Sequence, residues 1–159
     1  MAKYKAATVA HWFIKRNVQA MEESSADNMT LMKLLKLLYY AEGCALAINS
    51  GIGLFDEDIV AWEHGPVVVE VYSEYCRNPY HLPLTDTDST DAETIEPDDQ
   101  NLLEQVYQIF GQYSASGLRN KTHAESPWLE ATNNGAILKK SISRETMREY
   151  FLENYIEAS

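Results

Sequence analysis

The chain has 159 residues, 45% of them hydrophobic and 11% aromatic, with 24 acidic against 13 basic side chains and a net charge of −11. Such a composition supports one cored domain and excludes a wholly disordered chain. The negative field disfavours phosphate backbones and anionic lipid, so neither direct nucleic-acid binding nor a membrane is expected, whereas encounter with a basic protein is accelerated.

Ala6, Val9, Ala10, Phe13, Ile14, Val18 and Met21 recur at three- and four-residue spacing and predict a first helix, closed by a polar loop from Glu22 to Asn28. Thr30 is placed to cap a second helix through Leu31, Leu34, Leu35, Leu37, Leu38, Ala41, Ala45 and Ile48, which Asn49-Ser50-Gly51 stops. A helix apolar on nearly every side belongs at the middle of a domain, so this one is the expected spine, with Tyr39 and Tyr40 in the core. Lys33 and Lys36 interrupt it and are expected to snorkel at its N-terminal end, with pairing to carboxylates from elsewhere as the competing reading.

Ile59-Val60-Ala61-Trp62 has the composition of a short strand, followed by a break at Gly65-Pro66. The run Val67-Val68-Val69 suits a strand. Val68, Val71, Tyr72, Tyr75 and Cys76 nevertheless share a helical face and Pro66 suits a first helical position, so Val67 to Cys76 is read as helix with strand as the competing reading. Residues 78–99, punctuated by Pro79, Pro83 and Pro97 and rich in Asp and Glu, form an acidic surface loop with a short strand at Thr94-Ile95. The loop is first a solvated surface and second a docking strip for a basic partner. A helix follows through Leu102, Leu103, Val106, Tyr107 and Phe110, its N-terminal dipole favoured by the last carboxylates, and Gly111 ends it. Ser114 and Ser126 are expected to cap two short helices, the second with Pro127 at its first position. After a turn at Asn133-Asn134-Gly135, Ser143 caps a last helix with Glu145 in its first turn and Met147, Tyr150, Phe151 and Tyr155 on its packing face. The fold class is therefore mainly α: a single compact helical domain over residues 1–159 around a central apolar helix, with a short strand or small β-hairpin.

Cys44 and Cys76 have no Cys or His neighbour at metal-ligand spacing and read as buried thiols. With no apolar run of about 18 residues and no signal-peptide h-region in MAKYKAATVAHWF, a reducing cytoplasm is expected. Of the histidines His11, His64, His81 and His123, two lie beside carboxylates, in Glu63-His64 and His123-Ala124-Glu125. Glu63, His64, His123 and Glu125 could serve an acid-base or metal-dependent enzyme if they converged. No helix-spaced HExxH, nucleophile elbow or glycine-rich phosphate loop supports this, so no catalytic residue, metal or cofactor is assigned. The plainer role of His64 and His123 is to hydrogen-bond backbone at the ends of a strand and a helix. Trp62, Trp128, Tyr39, Tyr40, Tyr72 and Tyr75 could anchor a protein interface or fill the core; core packing is favoured for Tyr39 and Tyr40, whereas Trp62 and Trp128 sit beside Gly or Pro, where surface loops emerge.

Three segments together carry a resemblance: Thr30 to Gly43 (TLMKLLKLLYYAEG), Ala61 to Val68 (AWEHGPVV) with Tyr72, and Leu118 and Thr122-His123 with Pro127-Trp128. They resemble the Panacea antitoxin-domain family of SocA-like and GepA-type phage-associated proteins. The resemblance implies a mainly helical domain that neutralises a cognate protein toxin by direct binding, in two-gene toxin-antitoxin systems of prophages and mobile elements. It also implies an alternative in which an adaptor delivers the toxin to a protease. Two departures are Leu35, where the family pattern has glutamine, and Val69, where proline often follows the Gly-Pro-Val-Val run. Trp62, His64, His123 and Trp128 are the candidate partner-binding residues. A DNA mimic ranks last, because the carboxylates are concentrated rather than spread like a phosphate ladder.

Overall fold

A computed structural model describes residues 2–23, 26, 28–79 and 82–156; His81 and parts of the loop after the first helix lie outside these. Among the described residues the chain forms α1 (Ala6–Glu23), α2 (Leu31–Ile48), β1 (Ile59–Trp62), β2 (Gly65–Val68), α3 (Val69–Tyr75), a 3-10 turn (Asp91–Thr94), α4 (Pro97–Phe110), α5 (Ala115–His123), α6 (Ser126–Ala131), β3 (Lys140–Ser141) and α7 (Arg144–Asn154). The fold is mainly α with one small antiparallel sheet of order β2-β1-β3.

Helix α2 is the spine that its all-round hydrophobicity predicts. Leu34, Leu37, Leu38, Tyr39 and Tyr40 have no exposed surface, and α2 packs against α1, α3, α4, α5, α7 and β2. Burial of each such leucine contributes roughly 1.5–3 kcal/mol. The helix starts where Thr30 Oγ1 accepts from the Lys33 amide at 3.3 Å and ends in the turn at Ser50 and Gly51, both with positive φ. Gly43 lets α7 pack tightly on the spine: a Cβ there would overlap the Phe151 ring. Ser114 and Ser143 cap α5 and α7 as read, accepting from Gly117 N and Thr146 N.

Several local expectations are corrected. Val67 and Val68 are strand, paired with Val60 and Ile59, and the helix begins only at Val69. Pro66 is therefore not a first helical residue. It pairs with Ala61 in β2, an edge strand, where the missing N–H is tolerated. Thr94-Ile95 is not a strand, since Asp91–Thr94 forms a 3-10 turn. The acidic stretch is also pinned: Leu84, Ala92 and Ile95 are buried, Asp91 accepts from Thr8 and pairs with His11, and Asp99 accepts from Tyr4. The N-cap position of α6 is Glu125 rather than Ser126, and the Glu125 side chain makes no capping bond because it turns inward. Cys44 is buried as expected, whereas Cys76, at the C-terminal end of α3, is exposed.

Neither lysine of α2 snorkels, because the helices around the spine close over both. Lys33 and Lys36 are only 2% and 1% exposed. Lys33 Nζ donates to Gly111 O at 2.6 Å, at the end of α4 where the helix dipole favours a cation. Two buried carboxylates knit the last elements to the spine. Glu42 accepts from Arg144 Nε of α7 and from the Leu54 amide, while Glu125 accepts from Tyr39 and Tyr40 at 3.0 and 3.3 Å and from Tyr155. Burial raises the pKa of each above the ordinary carboxylate range, against the lowering effect of these donors.

Candidate functional site

The hairpin of β1 and β2 turns on two residues, Glu63 and His64, because Trp62 pairs directly with Gly65. Gly65 has φ of +115°, a conformation that an L side chain rarely adopts, and its missing Cβ leaves room for the Lys36 side chain, whose Cε would lie 2.8 Å from such an atom. The tip rests on α5 and α6. Trp128 Nε1 donates to Trp62 O at 3.0 Å, and the His123 ring stacks on Trp128 with centroids 4.0 Å apart. Arg119 Nε donates to His64 Nδ1 at 3.1 Å, which leaves the proton of a neutral His64 on Nε2. The four candidate residues Trp62, His64, His123 and Trp128 thus meet around one hairpin.

Their exposures differ. His64 is exposed, Trp62 and His123 are half-buried, and Trp128 is buried. The His123 ring bonds the Glu63 backbone, and its Nε2 is buried with no partner among the described residues. Burial first, and the Arg119 charge second, hold its pKa below the ordinary histidine value. Trp128 and His123 therefore brace the hairpin from behind, while Trp62 and His64 stand at its surface.

The enzyme constellation does not assemble. The Glu125 carboxylate turns away from the hairpin to three tyrosine hydroxyls in the core. Among the described residues no group of three or more His, Cys, Asp or Glu is arranged to hold a metal ion.

Beside the hairpin opens a pocket of about 340 Å³. Its walls are apolar, from Leu31, Leu35, Val67, Trp62 and Tyr72, with the Trp62 and Tyr72 rings edge-to-face at 5.0 Å. Lys36 forms the floor. Burial, and next the Arg119 charge, bring Lys36 down to about 7. At the mouth Tyr72 and Leu138 are 37% and 42% exposed, an apolar rim of the kind that marks interaction sites.

Sequence reasoning missed Lys36, Leu138, Lys139 and Arg119 as site residues, whereas Tyr72 was a candidate anchor. Lys36 carried a signal, a cation inside the most apolar helix. Leu138 and Lys139 carried none, since they reach the pocket only because the turn with positive φ at Asn133, Asn134 and Gly135 returns the chain to β1, where Lys139 N donates to Ala61 O.

A family model described as antitoxin SocA-like, Panacea domain, matches residues 34–129, more than half of the chain. The chain belongs to this family. The matched stretch of the Panacea domain holds Lys36, the whole hairpin, His123 and Trp128, whereas Leu138 and Lys139 enter the pocket from beyond it. No curated protein and no solved structure matches the chain. Among the described residues no helix of this Panacea protein is long and apolar enough to cross a membrane.

Proposed function

We propose that this Panacea protein is an antitoxin that binds a cognate toxin directly and blocks it, acting in the cytoplasm as one half of a toxin-antitoxin pair. The observation that carries the reading is the family membership together with the apolar mouth beside the hairpin. Trp62, His64, Tyr72 and Leu138 are the contact surface, and His123 and Trp128 hold the hairpin in place behind it. Neutralisation requires no catalytic group, because an interface of about 1,600 Å² in total covers an active site if a few aromatic anchors bury well. The net charge of −11 favours encounter with a basic toxin over nucleic acid.

The experiment is growth rescue: the product of the neighbouring gene is expressed alone and together with the wild-type protein, or with Leu138→Glu or Tyr72→Ala. Rescue by the wild type and its loss in folded rim variants is the expected result. A non-toxic neighbour, or rescue that every rim variant retains, rejects the reading.

A further inference from the structure

We propose that the pocket floored by Lys36 binds an apolar monocarboxylate, with the acid group meeting the Lys36 amine and an aliphatic or aryl body lying against Leu31, Leu35, Val67, Trp62 and Tyr72. Trp62 and Tyr72 belong both to these walls and to the proposed toxin contact, but the ligand needs no toxin and is tested without one.

Lys36 is 1% exposed, lines the pocket, and has no hydrogen-bond partner among the described residues. An amine in that position has lost most of its water without gaining a protein acceptor, and it faces the pocket with its bonding capacity unused. A ligand that brings an acceptor supplies what the fold omits. The sign of that ligand follows from the surroundings. Lys36, Lys139 and Arg119 gather here, against Glu63 as the one carboxylate lining the pocket among the described residues, with His64 at the rim and His123 behind it, in a chain that is otherwise strongly acidic. An anion therefore finds opposite charge here, and a charge-assisted bond in an apolar enclosure is stronger than the same bond in water.

The body of the ligand follows from the walls and the size. The five wall residues offer almost entirely apolar surface, and about 340 Å³ is the lower end of small-molecule sites, enough for a body of roughly ten non-hydrogen atoms. Phosphates and sugars, which need many donors, do not suit it.

The test uses the full chain and NMR titration with 3-phenylpropionate and its neutral counterpart 3-phenylpropionamide. The acid is expected to bind at least about tenfold more tightly than the amide, and Lys36→Met to bring the ratio near one with the fold retained by circular dichroism. Equal affinity for acid and amide, no shift of pocket resonances with either, or a preference that survives Lys36→Met overturns the proposal. Should Lys36→Met fail to fold, the wild type alone decides: calorimetry at pH 8 in two buffers of different ionisation enthalpy is expected to show uptake of about 0.9 proton with the acid, because a mostly neutral amine must charge. Zero uptake together with no preference for the acid over the amide overturns it. A parallel arm with N-acetyl-alanyl-phenylalanine separates the two sources of such a carboxylate. Binding of this peptide acid but not its C-terminal amide supports the carboxylate and places it on a chain terminus. Binding of the free acid alone supports it and places it on a small molecule.

Discussion

Replacing Lys36 by methionine is expected to stabilise the protein, although it removes a side chain from the middle of the spine. Folding takes the Lys36 amine from its ordinary value of 10.5 to about 7. At about 1.4 kcal/mol per unit the buried amine therefore costs about 4 kcal/mol at neutral pH. Methionine keeps most of the stem's packing and has no charge to desolvate. The sign follows from linkage: between about 7 and 10.5 the unfolded chain holds more of this proton than the folded one, so wild-type stability rises with pH there. The advantage of Lys36→Met should thus be about 4–5 kcal/mol at pH 6 and only about 2 kcal/mol at pH 9. Urea unfolding of both proteins at the two pH values measures it. A difference that stays constant, or a variant less stable than wild type at pH 6, would refute the burial of an unpartnered amine.

Other consequences can be checked with the same unfolding assay. Gly43→Ala forces a methyl against the Phe151 ring and should cost about 1–3 kcal/mol, by overpacking at the contact of α2 with α7; an unchanged midpoint would show that α7 can move aside. Trp128→Phe removes the 3.0 Å bond to Trp62 O, which keeps its pairing with Gly65 across the hairpin, so stability should fall by only about 0.5–1.5 kcal/mol. His11 lies between Asp91 and Glu74; burial lowers its pKa, but the bonds to Glu74 and Asp91 outweigh this and leave it raised. Its contribution is complete below the unfolded histidine value and fades as pH rises through the folded one, so the deficit of His11→Gln should be larger at pH 5.5 than at pH 8.5, and an equal deficit would contradict the pairing.

What was legible in the sequence was what neighbouring residues decide. Thr30, Ser114 and Ser143 cap helices through bonds to amides three residues on, and Ile59 to Trp62 is the strand its side chains favour. Val67 and Val68 were misread because a helical face and a strand run overlap there, and pairing with Val60 and Ile59 settles the contest. The two-residue strand Lys140–Ser141 is exposed and carries no hydrophobic pattern, so only its partner β1 defines it. The site was half legible. Trp62, His64, His123 and Trp128 do gather around the hairpin, but the burial of Lys36 depends on α5 and the hairpin closing over α2, and the exposure of Cys76 depends on where α3 ends. Periodicity gave the lysine a flank to escape along. Packing removed it.

Inhibition by direct, stoichiometric binding is tested by titrating the purified toxin's activity with this Panacea protein. The account predicts that activity falls linearly to zero near one equivalent, with a complex of the two chains, and that Leu138→Glu shifts the curve at least about tenfold. Loss of activity at far less than one equivalent would mean turnover rather than occupation, and no loss in excess protein would mean that the toxin is not its partner; either result contradicts the account.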